Sequence, residues 1–452
     1  MDIQLERRYG LPTAICMVVG IVMGSGVFFK AEAVLQATGG DMALGVAAWL
    51  IVGAIMVVCT FTFSTLSSRY QKVNGVVDYA EAALGPRYGY YVGWFMAIIY
   101  YPTLTSVLAW LSARYFCVLL GWDITGGPCM AIACFFLCMS FAGNALSPWL
   151  AGRFQVATTV IKMVPLLLMA VVGTVAGLSS GQLAANFSAA GAAETSAGAS
   201  LMASVVAVAF AYEGWIIATS INAELKDPKR TLPLALVIGS VIVVATYLFY
   251  YVGLSGAVTT GEMMESGEQA AKLAFQRLFG QAAGTGVFVL IVVSCLGVLN
   301  GLMLACCRGM YAIAVRGEGP RPELFAQVDL VTHMPVNSSV LGLALCGFWL
   351  LYFYGANLTE SSWFGPFTFD TSEIPIITLY AFYIPIFFQI LRRERDLGFV
   401  RRVLTPVLAL CGCVFMVYAA FAAHGAAVWY YLVVFGAVML LGAYFGRKRK
   451  GR

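Results

Sequence analysis

The polar chemistry of this chain gathers at two short breaks, Gly24-Ser25-Gly26 followed by Val27, and Phe210-Ala211-Tyr212-Glu213-Gly214. Each interrupts a long apolar run. In hydrocarbon, backbone released from helical hydrogen bonding must find partners in protein, water or a ligand, so a break at membrane depth marks a cavity. Unwinding at the first break leaves the N–H groups of Ser25, Gly26 and Val27 at the start of a half-helix, an end that attracts a carboxylate. The same unwinding, with that around Phe210 to Glu213, frees carbonyl oxygens that accept from an ammonium. Together the breaks suit the backbone of an α-amino acid. Taken alone, Gly24-Ser25-Gly26 reads equally well as a small-residue helix-packing face; the second break weighs against that.

Two charged residues lie in the same apolar depth. Lys162 falls about nine residues into its run, roughly 13 Å deep by helical rise. A buried ammonium in a span points to function. Carbonyls of the broken first run, and a hydroxyl such as that of Ser294, are its expected acceptors, and a fixed cation there would do the work of a sodium ion. Glu213 is costly at midplane unless paired, hydrated or protonated. It suits a substrate cation, a transported proton or a structural pairing with Lys162.

The elements that hold these residues follow from composition. Of 452 residues, 61% are hydrophobic and 11% charged, and mean hydropathy is +0.85. Soluble domains carry about 25% charged residues. A membrane span needs about 20 apolar residues. Twelve such segments run over 11–37, 42–68, 88–119, 127–147, 154–177, 199–221, 233–256, 285–314, 337–354, 371–391, 403–422 and 427–446. The third and eighth are long enough to tilt strongly. Basic residues such as Arg69, Lys72, Arg153, Lys229, Arg230, Arg316, Arg392 and the 447–452 tail fall on one side, while Lys272 and Arg277 are nearly alone on the other. This asymmetry predicts cytoplasmic termini. No signal peptide is expected. The twelve cysteines have no metal spacing, and His333 and His424 are expected in loops. No metal, cofactor or nucleic-acid partner is expected.

Breaks in segments 1 and 6 set a repeat of five helices. An odd number of spans inverts the second unit, giving an all-α, 12-helix, LeuT-like 5+5 inverted repeat. Its expected parts are 8–177, 199–392 and two added helices over 403–446.

Gly24-Ser25-Gly26-Val27-Phe28 resembles the GSGIF motif of the L-type branch of the amino acid–polyamine–organocation superfamily. Phe210 to Trp215 followed by Glu224-Leu225-Lys226-Asp227-Pro228-Lys229-Arg230 is similar to its FAYxGW…EELKDPKR signature. Gly297-Val298-Leu299-Asn300-Gly301 with Arg308 and Tyr311, the segment-5 lysine and Ser372-Glu373-Ile374 fit as well. Gly75-Val76-Val77-Asp78-Tyr79 departs from the family's SGG-acidic-Tyr. The resemblance implies that Ser25 and Gly26 hold the substrate carboxylate, that carbonyls of Val22, Phe210 and Glu213 hold the ammonium, and that Phe210 gates the site. It also implies that an acidic residue at position 213 accompanies cationic substrates in some members.

The expectation is a sodium-independent exchanger of neutral L-amino acids in the cell membrane. Its alternative is a proton-coupled or cationic amino acid or polyamine permease. An integral enzyme would need a clustered nucleophile and base, and a channel would need polar residues spread along a path; neither pattern is present. Cys129 is the sole loose candidate for a bridge to a heavy-chain partner, so a stand-alone monomer or loose homo-oligomer is expected.

Overall fold

The computed structural model describes residues 10–447 except 25, 71–74, 190–195 and 333. Every segment expected from the sequence is helical, and each is long and apolar enough to cross a membrane. Segment 1 is the bent pair Leu11–Val22 and Gly26–Ala37, which meet at 43°. The others are Met42–Arg69, Pro86–Leu120, Gly127–Leu146, Leu150–Ser180, Ala197–Thr219, Pro228–Ala257, Gln281–Ala314, Val336–Asn357, Ile374–Arg393, Val400–His424 and Ala426–Gly446, numbered 2 to 12. Large apolar side chains such as Leu146, Leu178 and Leu440 are about 70% exposed on the outside of the bundle. Lipid, rather than protein, is the solvent for that face. The chain is a multi-pass membrane protein.

Small residues let the inner helices approach closely. In segments 5 and 7, a Cβ on Gly173 would lie 2.3 Å from the carbonyl oxygen of Gly253, and one on Gly256 2.2 Å from that of Gly173. This is close backbone packing of the kind membrane helices use where burial supplies no driving force. It seats segment 5, and with it Lys162, against the core of the bundle.

Segment 3 is deformed for a visible reason. Pro102 lacks an N–H, so the carbonyl four residues earlier, on Ile98, has no helical partner. Trp349 Nε1 donates to that oxygen at 2.9 Å, and the turn Met96–Tyr100 widens to a π-helix. Tyr100 is thereby carried at the widened turn, facing segment 6.

The segment 7–8 connection, expected as a loop, folds into two short helices, Thr260–Ser266 and Ala270–Phe279. Thr259 and Glu262 form a reciprocal cap on the first, and Arg277 clasps Glu262. His424, also expected in a loop, is instead the last residue of segment 11; the apolar run carries helix to the residue before Gly425, whose φ of +51° ends it. His333 lies outside the described residues.

Candidate substrate site between the two breaks

The first break begins where segment 1 stops being helical at Val22 and restarts at Gly26. Segment 6 leaves the α-helix at Ala211, passes through a turn over Tyr212 to Gly214, and continues as a 3-10 helix from Trp215. Gly214 has φ of +101°, a conformation that L side chains rarely adopt. The breaks lie against each other. A Cβ on Gly26 would sit 2.6 Å from Ala211 Cα, and one on Gly214 3.1 Å from Ile21 Cγ2.

They enclose a cavity lined by Ile21, Val22, Gly24, Gly26, Phe210, Ala211, Glu213 and Gly214, with Leu104, Leu108, Val298 and Leu302 as its other walls. The space open to the centres of water-sized molecules is about 30 Å³. That holds one or two waters but not an amino acid. Phe210 is 6% exposed and packs edge-on against Phe29 with ring centroids 6.2 Å apart.

Lys162 is completely buried, and its ammonium donates to the carbonyls of Gly20 at 2.6 Å and Met23 at 2.5 Å. Both acceptors belong to the end of the first half of segment 1. The ammonium thus neutralises partial charges that the helix end leaves exposed. Ser294 does not join it: its hydroxyl is buried without a hydrogen-bond partner among the described residues. Lys162 and Glu213 do not pair either. Glu213 accepts a hydrogen bond from the Tyr100 hydroxyl across the cavity wall.

Three positions expected to face the substrate read differently once side chains are located. The Val22 carbonyl already accepts from Tyr247 Oη at 3.0 Å, leaving one lone pair for any ligand. Tyr212 faces away from the cavity, with its ring among Trp49 and Tyr247. Val27 is fully buried and is absent from the cavity walls. Ser25 lies outside the described residues.

A family model described as amino acid permease matches residues 9–444. The chain belongs to the amino acid permease family. This permease is 30% identical to the serine/threonine exchanger SteT of Bacillus subtilis over 92% of its own length and 91% of that protein. It is 25% identical to the human cystine/glutamate transporter, covering 75% of this chain and 67% of the relative. To the human b(0,+)-type amino acid transporter 1 it is 27% identical, covering 73% and 67%. These relatives are transporters, and the permease is one too rather than an enzyme. The resemblance to the L-type branch, and the LeuT-like arrangement with helices 1 and 6 broken, hold.

Sequence reasoning missed the walls Leu104, Leu108, Val298 and Leu302. Each pair is spaced by four on one helix face, but apolar residues surround these helices on all sides and give no contrast. It also missed Lys30, which is buried and pairs with Glu373. The signal was present: Lys30 is a charged residue inside a span, the criterion that singled out Lys162.

Proposed function

We propose that this permease exchanges neutral L-amino acids across the cell membrane by alternating access, without sodium, and that both termini are cytoplasmic. The observation that carries the sodium-independent reading is the Lys162 ammonium bound to the Gly20 and Met23 carbonyls. A tethered cation already occupies the end of the half-helix where a soluble one would otherwise be needed. Gly26 N–H and the first turn of the half-helix it opens receive the substrate carboxylate, a role the family resemblance also gives to Ser25. Remaining lone pairs on Val22 and Phe210 carbonyls receive the ammonium, and Phe210 closes over the bound molecule. The walls Leu104, Leu108, Val298 and Leu302 are apolar, which suits an uncharged side chain once they part. The relative SteT, a serine/threonine exchanger, supports this mode. The parts of the fold are 8–177, its inverted counterpart 199–392 and the two added helices 403–446.

Glu213 supports a second reading, a cationic or proton-coupled permease, because among the described residues no cationic side chain neutralises it. Cys129 is fully enclosed and would have to be unpacked to bridge to a heavy chain, which supports a stand-alone protein. Counterflow in proteoliposomes, with serine, threonine, alanine, lysine, arginine and polyamines as competitors, tests the reading. Exchange of the neutral amino acids, unchanged when choline replaces sodium, is the expected result. Uptake driven only by an imposed pH difference, or competition confined to lysine, arginine and polyamines, would move the chain to the second reading.

A further inference from the structure

Three titratable side chains meet outside the cavity. Lys30 Nζ lies 2.5 Å from Glu373 Oε1, and His424 Nε2 lies 3.0 Å from Glu373 Oε2. Lys30 belongs to the half of segment 1 that starts at Gly26, Glu373 immediately precedes segment 10, and His424 ends segment 11. Lys30 and Glu373 are 5% and 8% exposed, so this is no solvated surface pair. The Lys30 ammonium also stands 5.5 Å from the ring centroid of Phe210, which lines the cavity. The cluster therefore sits behind the cavity wall and fastens the second half of segment 1 to segments 10 and 11. Among the described residues, the charged groups facing His424 are Glu373, Asp370 and Lys30, and those facing Lys30 are Glu373 and Asp370.

One carboxylate thus has two cationic partners, and only one depends on pH near neutrality. Histidine changes charge between about pH 5 and 8, whereas lysine stays charged. While His424 is neutral, Glu373 depends on Lys30, because a buried charge without a partner is strongly unfavourable. Once His424 takes a proton, Glu373 keeps a partner even if Lys30 withdraws, and the imidazolium repels the ammonium. The proton binds better with Lys30 away. Linkage then requires that proton binding favour release of Lys30.

We infer that Lys30, Glu373 and His424 form a proton-operated latch. Protonation of His424 frees the second half of segment 1 from segments 10 and 11 and opens the cavity on the Phe210 side. The latch rests on the alternating-access reading and adds to it proton control of one gate, at a place separate from Glu213.

Hydrogen–deuterium exchange of the full-length protein in detergent tests this without substrate. It is read over the backbone amides of residues 26–37 and corrected for the intrinsic pH dependence of exchange. Between about pH 8 and about pH 6 the unaltered protein is expected to lose protection about tenfold, or about 1.4 kcal/mol. His424→Gln is expected to lose none, and His424→Lys, charged throughout, to show the low protection at both pH values. The same loss in His424→Gln as in the unaltered protein, no loss in either, or full protection in His424→Lys at both pH values overturns the latch. A His424→Gln protein that does not fold leaves His424→Lys and the unaltered protein to decide. Amino acid exchange in proteoliposomes separates the two readings. A protein that exchanges no amino acid refutes the transport mode, while the deuterium comparison still judges the latch.

Discussion

Replacing Lys162 with methionine keeps the unbranched stem as far as Cε and removes the charged nitrogen. The substitution deletes the donations to Gly20 at 2.6 Å and Met23 at 2.5 Å. Hydrogen bonds to a charged group contribute about 1.5–3 kcal/mol each, so the first break loses about 3–6 kcal/mol of tethering. Global stability falls by less. The ammonium is fully buried, and withdrawing it from water costs several kcal/mol that methionine does not incur. The two effects separate in measurement. Thermal unfolding in detergent should show a folded protein destabilised by about 2 kcal/mol or less, within the usual range for one substitution. Counterflow in proteoliposomes should show turnover reduced about 100-fold or more, equivalent to about 2.7 kcal/mol. Lys162→Arg, which keeps the charge on a broader planar head, should fall between. Counterflow by Lys162→Met within about threefold of the unaltered rate, a difference under about 0.7 kcal/mol, would refute the tether. So would loss of exchange in the unaltered protein when choline replaces sodium.

Gly26→Val should abolish exchange and also lower the melting temperature, because its Cβ would meet Ala211 Cα at 2.6 Å; overpacking of this kind costs about 1–3 kcal/mol, and normal uptake would remove Gly26 from the site. In Glu213→Gln, competition by serine, threonine or alanine should survive, with lysine and arginine weak even in the unaltered protein; strong lysine competition that vanishes in Glu213→Gln would reverse the assignment. Outside the membrane segments, Arg277 above all holds the Glu262 carboxyl down at about 2, against an ordinary value of 4.5. A depressed carboxyl stabilises the fold above its unfolded value and loses that contribution as pH falls through its folded value. Glu262→Gln should therefore lower thermal stability at pH 7 by under about 1 kcal/mol, as for a partly exposed pair. That difference should shrink from about pH 4.5 towards pH 2, and a difference constant with pH would contradict the clasp.

The architecture was legible because bilayer thickness imposes length and composition on each span, and the breaks were legible because glycine and polar residues come together at mid-depth in two apolar runs. Gly24, Gly26, Phe210, Glu213 and Gly214 meet in space as their types and depths suggested. What the sequence withheld is direction around a helix. Tyr212 and Phe210 are two residues apart, yet one packs among aromatic rings of segments 2 and 7 while the other lines the cavity. Partners of charged groups were equally hidden. Tyr100 and Glu213 are 113 residues apart, and Lys30 and Glu373 343; only the folded bundle brings each pair together.

The Lys162 ammonium is covalently attached, so it has no concentration on either side of the bilayer and no chemical potential to spend. A dissociable ion at the same carbonyls would bring osmotic work with every cycle; a tethered one brings none. On the exchange reading, the carrier can swap one amino acid for another but cannot by itself raise their sum inside the cell. How far any one species accumulates is then set by the outward drive of its counter-substrate, and the direction of net flux belongs to metabolism rather than to the protein.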